Sequence, residues 1–110
     1  MPLKVYTGTF NYKGTDRFDI TVKTKEHPEF CPTWNMVMGI KNRTMSEEEY
    51  TNEYRTLMVN SWKNKKYAWI DLLARDTVTL VCFCKKGSFC HRYLLADYLV
   101  KCGAIYMGDR

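Results

Sequence analysis

Four side chains capable of nucleophilic or metal chemistry fall within ten positions, Cys82, Cys84, Cys90 and His91, and Arg92 follows at once. Lys85, Lys86, Gly87 and Ser88 lie between them. Three chemistries compete for this stretch. In the first it cradles an anion. An apolar strand, Thr79-Leu80-Val81-Cys82, runs through a tight loop into a helix, with Ser88 as the expected N-cap. A helix start carries partial positive charge and favours acidic residues. Here the first turn would hold Cys90, His91 and Arg92, and no carboxylate occurs between Asp76 and Asp97. Cations crowded onto a positive helix end repel unless a bound anion offsets them. Lys85, Lys86, Gly87, Ser88 and Arg92 therefore read as ligands for phosphate or carboxylate. The plainer alternative is that these cations face water.

The second chemistry is a reactive thiolate. Cys84 at a strand end and Cys90 beside cations both sit where a thiol pKa falls and nucleophilicity rises. Cysteine-dependent phosphatases place arginine six residues after the cysteine. Here that position is Cys90 and the arginine comes at plus eight, which argues against phosphatase chemistry and leaves redox use open. The third is a metal, since the stretch offers four soft donors. Against it, residues 82 and 84 of one strand share a face, whereas adjacent residues 90 and 91 diverge on a helix. The usual C-x-x-C spacing is absent, so no metal or other cofactor is assigned.

The rest of the chain must position these groups. Lys4–Phe10 alternates as a first strand, and Gly8 near its end would let a ligand or backbone approach. Arg17–Lys23 reads as a second strand with Phe18, Ile20 and Val22 on one face and Asp19 on the polar one. Residues 25–42, broken by Pro28 and Pro32 yet rich in apolar side chains, read as an irregular lid or binding loop. Trp34 there could stack on a ring, or it and Phe30 could simply pack a satellite core. Ser46 and Glu49 form a capping box that opens a helix running to about Trp62, with Tyr50, Tyr54, Leu57, Met58 and Ser61 on one face. A further helix, Asn64–Leu73, is expected to bury Tyr67, Ile70, Leu73 and Trp69. The basic run Lys63, Lys65 and Lys66 reads as a solvated face, with nucleic-acid contact the minority reading. Gly103 fits the stop of the last helix, and Ala104–Met107 a final short strand.

A chain of 110 residues suits one domain, and its net charge of +5 suits acidic small molecules or nucleic acid. Five cysteines, an odd number, with no signal peptide or long apolar run, place it in a reducing cytoplasm without a membrane span.

Cys82-Phe83-Cys84 followed by Cys90-His91-Arg92-Tyr93-Leu94-Leu95-Ala96 resembles the C-x-C…C-H-R-x-x-L-A core of the domain-of-unknown-function 488 family, closest to its short bacterial and phage-encoded members. Phe18–Lys23, Pro32–Met38 and Ser46–Tyr50 extend the resemblance over most of the chain. It implies a compact Rossmann-like α/β domain. The family motif falls on Cys82, Cys84, Cys90, His91 and Arg92, and Asp19 matches the aspartate after the second strand. The resemblance implies no activity.

Residues 1–110 are thus expected to form one α/β domain, a parallel or mixed Rossmann-like sheet flanked by helices. Its ligand is expected at the Cys84–Arg92 loop, with Thr7 and Gly8 lining the site if the first strand neighbours the central one. The expected ligand is an anionic, nucleotide-like small molecule, its phosphate on the loop and its base on Tyr6, Trp34 or Phe89. Asp19 would be a candidate nucleophile or base and His91 a candidate acid or base. The alternatives are a thiol enzyme using Cys84 or Cys90, and a nucleic-acid or protein-binding module.

Overall fold

In the computed structural model, which describes residues 2–84 and 88–110, the most apolar strand lies inside the sheet. Thr77–Cys82 (β3) is buried almost throughout and pairs on one side with Lys4–Thr9 (β1), on the other with Arg17–Asp19 (β2). Ile105–Asp109 (β4) adds to the free edge of β1, giving the order β2-β3-β1-β4. Every pairing is parallel. The register sets Thr7 beside Leu80 and Gly8 beside Val81, so the first and central strands are neighbours. The expected Rossmann-like α/β architecture is therefore present, and its sheet is wholly parallel.

The helices are Trp34–Lys41 (α1), Glu47–Asn64 (α2), Lys66–Leu73 (α3) and His91–Lys101 (α4). Val5, Phe18, Val78 and Leu80 of the sheet meet Tyr54 and Met58 of α2, Trp69 and Leu72 of α3, and Leu95 and Leu99 of α4 in one core. Burying each large apolar side chain contributes roughly 1.5–3 kcal/mol, and this shared core is what holds α4 against the strand that precedes it. At Gly8 an added Cβ would lie 3.1 Å from Thr79 Cγ2 and 3.5 Å from Tyr12 Cβ. The close approach that this glycine permits is made by those two side chains.

Several elements depart from the sequence expectation. Residues 25–42 are not one irregular loop: a 3-10 turn, Pro28–Phe30, is followed by α1, whose first turn is capped by Thr33 Oγ1 accepting from Met36 N at 3.2 Å. The second strand stops at Asp19 rather than Lys23, because the Asp19 carboxylate folds the chain back through the amide and hydroxyl of Thr21. In α3 the buried side chains are Trp69 and Leu72, while Tyr67 and Ile70 are 61% and 56% exposed. The large indole takes the core position, and its Nε1 donates to Ser61 Oγ at 3.0 Å. Ser88 is not the N-cap of α4. Cys90 holds that position in extended backbone, without a side-chain capping bond, and Phe89 turns in to meet Tyr50 with ring centroids 5.2 Å apart. The other boundaries follow expectation: the Ser46–Glu49 capping box opens α2, and Gly103, at φ +108°, follows the last residue of α4's C-terminal turn.

Among the described residues no helix is long and apolar enough to cross a membrane.

Candidate functional site

β3 ends at Cys82, the chain bends at Phe83 and Cys84, and it returns at Cys90 to begin α4. Because Cys90 precedes the helix with φ −160° and ψ 148°, its side chain does not follow helical geometry. It and His91 therefore do not diverge. Their Sγ and Nδ1 atoms are 3.7 Å apart. Cys82 Sγ lies 4.0 Å from the same nitrogen and 3.7 Å from Cys84 Sγ. The expectation that residues 90 and 91 point apart is corrected by that one extended residue.

The His91 tautomer follows from its partner. Nε2 is 2.7 Å from the carbonyl oxygen of Ile20. A carbonyl only accepts, so Nε2 carries the hydrogen and Nδ1 presents a lone pair to the sulfurs. Burial pushes the imidazole pKa down to about 4, so His91 is neutral near pH 7. Among the thiols, Cys84 ionises first. Hydrogen bonds from Cys82 and then Cys90, with the charge of Arg92 behind them, hold its pKa below the ordinary value, although burial opposes this. Cys82 is pushed up by the hydrogen bond it gives to Cys84, and Cys90 by those it gives to Cys82 and Cys84, with burial adding to both.

Arg92 is fully buried. Its Nη1 donates to the Cys84 carbonyl at 3.0 Å and reaches Cys90 Sγ at 3.8 Å, and Nη2 donates to Tyr93 Oη at 3.3 Å. Tyr93 passes a hydrogen bond on to Asp109 at 2.9 Å. The guanidinium thus holds the loop that carries Cys84 from behind.

In front of the cluster a cavity of about 370 Å³ opens between β3, α1 and α2. Trp34, Val37, Ile40, Tyr50 and Phe89 wall it, Cys82, Cys84, Cys90 and His91 form its floor, and Lys23 and Lys41 line it on the exposed side. Of the residues singled out in the sequence, Trp34, Cys84, Cys90 and His91 come together here. Others do not. Thr7 hydrogen-bonds Asp109 and, at 2.7 Å, the Tyr106 hydroxyl, and Gly8 lies against Tyr12. Asp19 accepts from the Thr21 amide at 2.8 Å, the Thr21 hydroxyl at 2.7 Å and the Thr24 hydroxyl at 2.8 Å, and it shapes the turn behind the cavity. Ser88 is exposed and is not among the residues that line the cavity. Lys85, Lys86 and Gly87 lie outside the described residues. Sequence reasoning missed Tyr50, read only as core, and the Ile20 carbonyl, a backbone group that no residue type announces.

Fold and site together define an α/β protein with a cysteine-histidine pocket between the end of a central parallel strand and the next helix. A family profile described as "DUF488-N3a: Active DUF488-N3 subclade" matches residues 5–103, and the chain belongs to the DUF488 family. No curated protein and no solved structure matches it.

Proposed function

We propose that the protein binds a nucleotide or a similar phosphate-bearing small molecule, with the ring inside the cavity and the phosphate at its mouth. The observation that supports this is the cavity itself, which has aromatic walls at Trp34, Tyr50 and Phe89 and the exposed lysines Lys23 and Lys41 among its lining residues. Pockets of this volume bury most of a small ligand and orient it through few polar groups. The net charge of +5 favours an anion. Arg92 adds no direct ligand in this reading, since its guanidinium is occupied at the Cys84 carbonyl. All five cysteines are free thiols, which suits a reducing, cytoplasmic setting.

A thermal-shift series with nucleotides, nucleosides and inorganic phosphate tests the proposal. A ligand that binds only the folded state raises the melting temperature. A nucleotide should do so, and Trp34→Ala should weaken its binding on the order of tenfold or more, since one base stacked on an aromatic ring contributes about 1–3 kcal/mol. Trp34 is 48% exposed, so its loss should leave the fold intact. No shift with any nucleotide would remove the proposal.

A second reading rests on Cys84, the thiol that the cluster makes easiest to ionise. A Cys84-dependent transfer or redox enzyme would lose turnover in Cys84→Ser and would label first at Cys84 with iodoacetamide.

A further inference from the structure

We propose that Cys82, Cys84, Cys90 and Nδ1 of His91 form a four-ligand tetrahedral site for one soft divalent cation, zinc by its chemistry. The inference is independent of what fills the cavity.

Distances carry the first part of the argument. A tetrahedral zinc with Zn–S of about 2.3 Å and Zn–N of about 2.0–2.1 Å has ligand edges of roughly 3.8 Å between sulfurs and roughly 3.6 Å between sulfur and nitrogen. The Cys82–Cys84 sulfur pair is 3.7 Å apart, Cys90 Sγ to His91 Nδ1 is 3.7 Å, and Cys82 Sγ to Nδ1 is 4.0 Å. The Cys82, Cys90 and His91 ligand atoms all lie within 4.8 Å of one another. Cys82, Cys90 and His91 already present three donors around one small volume, and Cys84 Sγ, 3.7 Å from Cys82 Sγ, is the fourth that the ion would draw in.

Orientation carries the second part. A ligating histidine donates its other ring N–H to a carbonyl or carboxylate, which fixes the ring and the tautomer. His91 does this at Ile20, 2.7 Å away, and so turns a lone pair toward the sulfurs. The Cys84 carbonyl is likewise held, by Arg92 at 3.0 Å.

Charge carries the third. Three thiolates and Zn²⁺ sum to minus one. Buried charge must be paired, and the guanidinium of fully buried Arg92 reaches Cys90 Sγ at 3.8 Å. One cation in the first turn of α4, against the local preference, is what a monoanionic metal centre requires. The ion would tie the end of β3 to the start of α4 and close the floor of the cavity. With four protein ligands it is a structural centre, and Cys84 is then a ligand rather than a nucleophile.

The test starts with wild-type protein, expressed without a metal-binding tag and purified under reducing conditions without chelator. Elemental analysis should find close to one zinc per chain. Cobalt(II) exchange should produce the thiolate charge-transfer and intense visible bands of tetrahedral sulfur coordination. Cys90→Ser and His91→Ala should each lose stoichiometric zinc, whereas His91→Cys, which restores a fourth soft donor, and Cys102→Ser, at an exposed remote thiol, should keep it. Stripping the ion should lower the melting temperature by about 10 °C, as expected when a ligand specific to the folded state is removed from a domain of this size. Wild-type protein with less than about a tenth of an equivalent of metal that also takes up no cobalt, or that gives an octahedral cobalt spectrum, overturns the proposal. Because these wild-type readings need no variant and no nucleotide, they stand even if the substitutions misfold or the cavity binds something else.

Discussion

The first turns of α2 and α4 solve the same problem in opposite ways. At α2 the solution is local. Ser46 Oγ accepts from Glu49 N at 3.0 Å, Glu49 Oε1 accepts from Ser46 N at 3.2 Å, and three glutamates face the positive end of the helix. At α4 the N-cap Cys90 makes no side-chain capping bond and the first turn holds no acid. Its position is set from a distance instead, by His91 donating to Ile20 and Arg92 donating to Cys84. A locally capped start can be exchanged for any other good cap. A start held by tertiary bonds gives up that freedom and gains a fixed geometry for the side chains around it. The helix that obeys local preference is structural, and the helix that departs from it carries the site.

The contrast can be broken most forcefully at Arg92. Arg92→Ala should cost about 3–5 kcal/mol, the range for losing a buried charged partner, read as a fall in the urea midpoint. Arg92→Lys should recover little, because one ammonium cannot span the Cys84 carbonyl, the Cys90 sulfur and the Tyr93 hydroxyl. A loss under about 1 kcal/mol would mean that α4 does not depend on distant bonds.

Asp19 sharpens the comparison at intermediate size, since it shapes the turn that presents the Ile20 carbonyl to His91. Asp19→Ala should cost about 2 kcal/mol, leaving buried donors of Thr21 unsatisfied. Burial raises the Asp19 pKa, but hydrogen bonds from the Thr21 hydroxyl and amide and from Thr24, with the Arg17 charge, outweigh it and hold the carboxyl below its ordinary 3.8. The folded state therefore takes up this proton less readily than the unfolded one. Its contribution is complete above the ordinary carboxylate range and is lost as pH falls through the lower folded value. Acid titrations of stability should be shallower in the variant than in wild type, and equal slopes would sink the assignment. The smallest effect belongs to α2. Ser46→Ala should cost about 1 kcal/mol and Ser46→Asp almost nothing, with no change at the cavity by ligand-induced thermal shift.

The same contrast explains what could be read from the sequence. Ser46 and Glu49 announce α2 because a capping box is built from neighbours, and Gly103 announces the end of α4 for the same reason. β1 and β3 are legible from their apolar pattern. α1 was hidden behind Pro28 and Pro32, although Thr33 three residues before Met36 is a valid cap signal. The face of α3 is legible only in part: Trp69 is expected inside and lies there, but Tyr67 and Ile70 share helical spacing too, and only Ser61 on another helix decides against them. Cys84, Cys90, His91 and Trp34 could be chosen as site residues by type. Their convergence could not, since it rests on the extended conformation of Cys90 and on a backbone oxygen more than seventy residues earlier at Ile20.

The strand order has a consequence for how the molecule comes to exist. β1 and β2 are made first, yet they never pair with each other, because β3 lies between them. Their hydrogen-bonding partner is residues 77–82, so during synthesis no part of this sheet can form until most of the chain has left the ribosome. Until then α2, with its own capping box, is the element best equipped to hold structure alone. The Cys-His floor is completed within the next ten residues, and sheet and site are expected to consolidate together in one late step.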